Sequence, residues 1–308
     1  MKALRIHSFG TPDQAQLQDF TPSHPGPGEI LIRTEAASIN PLDIKMIGGY
    51  MQPVFPVDLP YTPGTDIAGV VAETGPDVET FKAGDRVCGR LTPSAGGGFA
   101  EAAVAPAHDF CLMPADMSFE QAAALPTAAG TAWLALFDVG ELRAGIRVLI
   151  HAAAGGVGAF AVQFAKQAGA YVIATASAKN HPLLKELGAD ECIDYRQDGS
   201  FTQFEGSVDL VLDGVGGAAT ERSWSLIRPG GVLASLVDHS IQSQGDIRGT
   251  AVFFQNDATS LKKIITRFSE RRLQIVLDAI HPLDQAHAAL QQVAAGHTRG
   301  KVIIRTSR

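Results

Sequence analysis

The sequence predicts an α/β protein, a doubly wound parallel sheet joined to a smaller β-rich domain. Three observations carry that prediction. Short apolar runs alternate with helical stretches from Arg147 onward, a glycine-lined turn follows the first of those runs, and the first 120 residues are dense in turns.

In that first stretch, Pro25-Gly26-Pro27-Gly28-Glu29 is strong turn chemistry, because proline fixes φ and glycine accepts positive φ. Residues 30–36 and 67–75 read as strands, and 87–89 and 99–104 continue the pattern of short strands between Gly and Pro breaks. This is the composition of an irregular barrel or small sandwich. The texture changes at Ser118-Phe119-Glu120-Gln121, a capping box opening an alanine-rich helical stretch.

Next come a strand at 147–151, a helix at 158–168, a strand at 171–174, a helix at 182–187, strands at 192–194 and 208–213, a helix at 218–227 and a strand at 232–236. Such alternation builds a parallel sheet covered by helices on both faces. Helices at 260–270 and 283–295 and a strand at 301–305 close the chain. The expected domains are 1–120 and 121–261, with 262–308 packing back onto the first. The lack of a low-complexity linker predicts a cleft between them.

At 308 residues, 45% hydrophobic and 19% charged, the chain is of globular type. Its net charge of −7 argues against nucleic acid as the main partner, since phosphate backbones need clustered Lys and Arg. Cys88, Cys111 and Cys192 are far apart, as suits free thiols in a reducing compartment. No His or basic residue adjoins Cys88 or Cys111 in sequence, so covalent thiol catalysis is not expected. The N-terminus turns polar too early for a signal peptide. The apolar stretch around 122–135 is broken by Pro126, Thr127 and Gly130, short of the ~20 residues of a membrane span. A cytoplasmic protein is expected.

The strongest chemical signal is Val148-Leu149-Ile150-His151-Ala152-Ala153-Ala154-Gly155-Gly156-Val157-Gly158. An apolar strand runs into Ala-x-Gly-x-x-Gly and then a helix, the Rossmann dinucleotide fingerprint with Ala153 at its first glycine position. Gly155 lets backbone approach a pyrophosphate, Gly156 and Val157 follow it, and Gly158 lets helix pack on strand. The pyrophosphate would sit at the positive end of the helix dipole. NAD-binding proteins place a carboxylate at the end of the second strand. Here that strand ends in Thr175-Ala176-Ser177-Ala178-Lys179-Asn180, with Ser177 19 positions after Gly158. A hydroxyl and an ammonium with no acid suit a 2′-phosphate, so NADP(H) is favoured.

Further segments carry a resemblance. They are Ala37-Ser38-Ile39-Asn40-Pro41-Leu42-Asp43-Ile44-Lys45, Pro63-Gly64-Thr65-Asp66-Ile67-Ala68-Gly69-Val70-Val71, Ala83-Gly84-Asp85-Arg86-Val87, Gly97-Gly98-Phe99-Ala100-Glu101 and Ala129-Gly130-Thr131-Ala132. With the fingerprint, they resemble the medium-chain dehydrogenase/reductase superfamily, in its zinc-independent, quinone oxidoreductase-like branch. The resemblance implies a GroES-like catalytic domain followed by a Rossmann NADP-binding domain. Zinc-containing relatives hold the catalytic metal with a cysteine and a histidine where this chain has Asn40 and Thr65, and the four-cysteine loop is absent. An amide and a hydroxyl are poor zinc ligands, so no metal site is expected. Without a Lewis acid for an alkoxide, the expected acceptor is a quinone or an α,β-unsaturated ketone or aldehyde.

The resemblance also implies roles. Asn40 and Lys45 line the catalytic cleft, and Tyr50 either gates the pocket, donates a proton or packs beneath the loop. Asp43 anchors that loop. Tyr195 lies near the 2′-phosphate or adenine, and Gly214 in Asp213-Gly214-Val215-Gly216-Gly217 lets backbone approach the cofactor. Val237, Phe253, Phe254 and Gln255 fall near the nicotinamide, although Phe253 and Phe254 suit a dimer-interface strand equally well. Lys301 is a further cofactor candidate. A homodimer is expected, with 247–254 as its edge strand. The competing readings are a zinc alcohol dehydrogenase relative, which metal analysis would decide, and an NADPH-binding sensor without catalysis.

Overall fold

The computed structural model describes residues 1–197 and 199–307. The chain forms two compact units, one of Met1–Thr127 with Asn256–Arg308 and the other of Ala128–Gln255.

In the first unit, β1 (Lys2–Arg5) pairs antiparallel with β2 (Gln16–Asp19). Strand β3 (Glu29–Ser38) buries Ile30, Ile32, Thr34 and Ala36, every second residue, as a strand with one covered face must. At Ala36–Ser38 burial becomes continuous, and the chain enters α1 (Pro41–Ile47) with proline in the first turn, where its missing N–H costs nothing. Then come β4 (Asp66–Thr74), β5 (Arg86–Arg90), β6 (Ala102–Pro106) and β7 (Phe110–Leu112). Helix α2 (Phe119–Ala123) opens on the predicted capping box: Gln121 N donates to Ser118 Oγ at 3.2 Å, and Ser118 N to Gln121 Oε1 at 3.1 Å. The helix, with Ala122 and Ala123 buried, packs against β3 and β4. That packing keeps residues 121–127 with the first unit, where the sequence reading placed the break at 120/121.

Helix α3 (Pro126–Trp133) leads into the second unit and continues as a π-type turn over Leu134–Val139. Strands and helices then alternate: β8 (Arg147–Ile150), α4 (Gly156–Gln167), β9 (Tyr171–Ala176), α5 (His181–Glu186), β10 (Glu191–Asp194), β11 (Val208–Asp213), α6 (Ala218–Leu226), β12 (Ile227–Ser235) and β13 (Arg248–Ala251). The six strands form one sheet in the order β10-β9-β8-β11-β12-β13, parallel throughout. This is the doubly wound arrangement, and β8 sits where the strand order reverses. Leu149, Ile173, Ile193, Val211 and Leu233 share its buried core with Phe204.

The chain then returns to the first unit through α7 (Ala258–Ser269), β14 (Leu277–Pro282), α8 (Ala286–Ala294) and β15 (Lys301–Arg305). Strand β15 runs antiparallel to β3 and parallel to β14, completing a seven-stranded path β14-β15-β3-β4-β5-β7 with β6 alongside β3. Asn256 exchanges two 2.7 Å hydrogen bonds with Arg90, so the return begins at Asn256, not at the 261/262 boundary read from sequence. No helix among the described residues is long and apolar enough to cross a membrane.

Candidate functional site

In the second unit, the carboxyl ends of the parallel strands gather nearly every residue read as cofactor-binding. β8 ends in the turn of Ala153, Gly155, Gly156, Val157 and Gly158; β9 in Ser177, Lys179 and Asn180; β10 in Tyr195; β11 in Gly214; β12 in Val237; β13 in Phe253, Phe254 and Gln255. A Cβ on Gly158 would lie 2.4 Å from Ala152 O and 2.6 Å from Ala153 Cα, so only glycine lets α4 approach the turn this closely. The first-turn N–H groups of this 12-residue helix have no acceptor within it and bear its positive partial charge. Ala152 takes the left-handed φ of 50° that the turn requires, a strained conformation for a residue with a Cβ.

Buried polar groups set this edge from beneath. Asp213, 0% exposed, accepts from Val215 N (2.9 Å) and Gly216 N (3.0 Å) at Oδ1, and from Thr220 Oγ1 (2.6 Å) and Ser235 Oγ (3.2 Å) at Oδ2. One carboxylate thus shapes the glycine loop after β11 and ties it to β12. Gly216 lies against Val237, and Gly214 beside His151 O and Ala152, so the loops converge. His151 bridges Thr175 Oγ1 (3.0 Å) and Ser223 Oγ (2.9 Å). Burial pushes its pKa down to about 4, against the pull of Asp213 and with the help of Arg222, so the ring is neutral near pH 7.

Ser177 is buried, Lys179 is exposed, and Asn180 Nδ2 reaches Ser177 Oγ at 3.4 Å. Tyr195 is half exposed, with the Arg196 guanidinium 5.5 Å from its ring centroid. Asp194, paired in register with Ala176, accepts from Ala178 N (3.3 Å) and Arg196 N (3.1 Å). A carboxylate therefore does border this corner, supplied by the third strand. Phe253 stacks on His239 at 4.7 Å between centroids, and the Phe254 ring covers Gly130, where a Cβ would meet it at 2.5 Å.

In the first unit, the start of α1 meets β4 and β15 in a buried polar cluster. Asn40 N donates to Asp43 Oδ2 at 2.7 Å, so Asp43 is the N3 half of a capping box on α1, whose N-cap is Asn40. Asn40 Nδ2 donates to Asp66 Oδ2 at 3.0 Å, and Asp66 in turn accepts from Thr127 N (3.2 Å) and Thr127 Oγ1 (2.6 Å). Thr65 lies between, with 3.5 Å contacts to Asn40 Nδ2 and Asp43 Oδ1. Burial raises the Asp43 pKa to about 7; its bond from Asn40 N opposes this, Asp66 adds to it, and Lys301 and Arg90 oppose it. Burial lowers the Lys301 pKa, with Asp66 and Asp43 opposing.

Lys301, read as a cofactor residue, belongs to this cluster: only 4% exposed, its Nζ donates to Ile39 O (2.8 Å) and Asn40 Oδ1 (2.5 Å). Lys45 and Tyr50 are exposed, Tyr50 by 79%, and the segment read as a loop is the helix α1 and its exit. Cys88 and Cys111 are buried thiols whose pKa burial raises, that of Cys111 to about 11. Asp66, Thr127, His151 and Asp213 are polar groups to which the sequence alone assigns no role. A carboxylate heading a buried apolar strand, as in Asp66-Ile67-Ala68, is the signal that marks Asp66.

Residues 26–115 match the alcohol dehydrogenase GroES-like domain family, and residues 187–304 the zinc-binding dehydrogenase family. A chloroplastic quinone-oxidoreductase homologue of Spinacia oleracea is 35% identical over 329 residues, covering 99% of this chain and 98% of that protein. The quinone oxidoreductase structure from Coxiella burnetii is 34% identical with a TM-score of 0.92, covering 100% and 99%. The Escherichia coli quinone oxidoreductase, solved in complex with NADPH, is 27% identical with a TM-score of 0.88, covering 99% and 100%.

Proposed function

This chain belongs to the quinone oxidoreductase-like branch of the medium-chain dehydrogenase/reductase superfamily, and on that premise we propose that it reduces a quinone or an α,β-unsaturated carbonyl with NADPH and without a metal ion. The observation that carries the proposal is the Asn40 cluster. The zinc-binding name of the matched family implies a metal, and the side chains here do not fit one. Asn40 offers an amide oxygen already taken by an ammonium, and Thr65 is a hydroxyl, so neither is a good metal ligand. Among the described residues, no group of three or more His, Cys, Asp or Glu side chains is placed to hold a metal ion. Alkoxide chemistry without a Lewis acid is unfavourable, which leaves acceptors that are already electrophilic.

The nicotinamide would supply the hydride. The residues present fit the rest of that cofactor: the turn at Gly155–Gly158 with the bare N–H groups of α4 suits a pyrophosphate, and Ser177, Lys179, Asn180 and Tyr195 suit a 2′-phosphate. The E. coli structure with NADPH supports the same reading. Lys45 and Tyr50 are the proposed donors to the substrate oxygen, where charge gathers as the conjugated carbon accepts hydride. Pairing of two copies along β13, the outer strand of its sheet, in a reducing cytoplasm completes the proposal. A screen of NADPH consumption over quinones, enones and enals, repeated with NADH, tests it. We expect turnover with at least one class and a preference for NADPH; background rates with every acceptor would refute it.

A further inference from the structure

The Lys301 ammonium is among the most buried cations of the chain, and its two hydrogen bonds go to neutral oxygens, Ile39 O and Asn40 Oδ1. Burying a cation in this way is costly, and an apolar side chain of similar length would avoid the cost. What the charge achieves locally is the orientation of an amide. An ammonium has donors and no acceptor, so it faces only the oxygen of the Asn40 carboxamide. The NH2 is then turned to Asp66 Oδ2 at 3.0 Å, an acceptor whose other contacts to Thr127 hold it in place. The flipped amide would set donors against the ammonium and its oxygen against the Asp66 carboxylate, unfavourable at both ends.

We propose that Lys301 is a positioning residue: it fixes the Asn40 carboxamide in one orientation and serves as the resident cation of the cluster, in place of a metal ion. This rests on the metal-free reading above. By holding both Ile39 O and Asn40 Oδ1, it also pins the step from β3 into α1, the helix that carries Lys45 and leads to Tyr50. A divalent cation approaching Asn40 Oδ1 would meet a positive charge already bonded there.

The test uses the intact protein with 15N-labelled asparagine, alongside Lys301→Met and Lys301→Arg. In wild type, the Asn40 NH2 should give two resolved protons exchanging with water at least 100-fold more slowly than an exposed asparagine amide. In Lys301→Met that exchange should rise at least tenfold. Turnover should fall at least tenfold with KM for NADPH within threefold, and Lys301→Arg should recover part of it. Titration of wild type with Co2+ should give no ligand-field bands. Fast exchange of Asn40 in wild type, unchanged exchange and turnover in Lys301→Met, or stoichiometric Co2+ uptake would each overturn the proposal. If Lys301→Met does not fold, the two wild-type measurements decide. They need no turnover, so a protein that passes them yet consumes no NADPH would sink the proposed reaction and leave the role of Lys301 standing.

Discussion

The proposed preference for NADPH rests on a few side chains at the end of β9. Ser177 is buried and fixed, while Lys179 projects from the turn that comes next. Asp194 borders the same corner, where its oxygens accept main-chain N–H groups of Ala178 and Arg196. In the proposed complex, Lys179→Ala would remove a charge-assisted bond to the 2′-phosphate worth ~1.5–3 kcal/mol. The ratio of NADPH to NADH in kcat/KM should therefore fall at least tenfold, with the NADH value itself little changed. An unchanged ratio would remove Lys179 from the account.

At the scale of elements, the parallel strands deliver their ends to one edge, and buried carboxylates shape the loops beyond those ends. Asp213 satisfies four donors from the β11 loop, α6 and β12. Asp213→Ala should cost ~2–4 kcal/mol by leaving buried donors unpaired. Amide exchange at Val215 and Gly216 should rise, with weaker NADPH binding measured by fluorescence titration. Protection that stays at wild-type level would show that the glycines alone hold the loop.

These loops also mark the limit of sequence reading. Strands such as Arg147–Ile150 and the fingerprint turn are legible because a short apolar run leading into a turn suits a doubly covered strand, and glycine spacing reports close approach. Helix α1 reads as a loop because seven residues give too few turns for a period, although Asn40-Pro41 is a helix-start signal. β12 begins five residues before the strand expected at 232, because Ile227 pairs with Val208 ahead of a register shift that splits the apolar pattern. Lys301 could not be placed at all. Its partner Asn40 lies on an element 261 residues away, and nothing local shows that a lysine beginning a terminal strand faces inward.

For the whole molecule, the two units carry buried groups whose titrations oppose each other. His151 in the second unit has a folded-state pKa near 4, below its ordinary 6.5. Between those values the unfolded chain takes up a proton that the native state does not. Stability from a neutral His151 is thus complete above about pH 6.5 and lost as pH falls towards 4, about 3 kcal/mol in all. Asp43 in the first unit is raised to about 7, so its contribution declines as pH climbs from 3.8 to 7. Both tryptophans, Trp133 and Trp224, lie in Ala128–Gln255, so their fluorescence reports the second unit. Its urea midpoint should drop between pH 6.5 and 4 in wild type and drop less in His151→Gln. Parallel curves would show that His151 is not buried neutral.

The measurement that bears most directly on metal-free hydride transfer tracks deuterium from the reactive face of [4-2H]NADPH into an enone product, using protein stripped with a chelator. Metal-free transfer should place one deuterium on the conjugated carbon at an undiminished rate. Transfer that stops on chelation and returns with Zn2+ would contradict it.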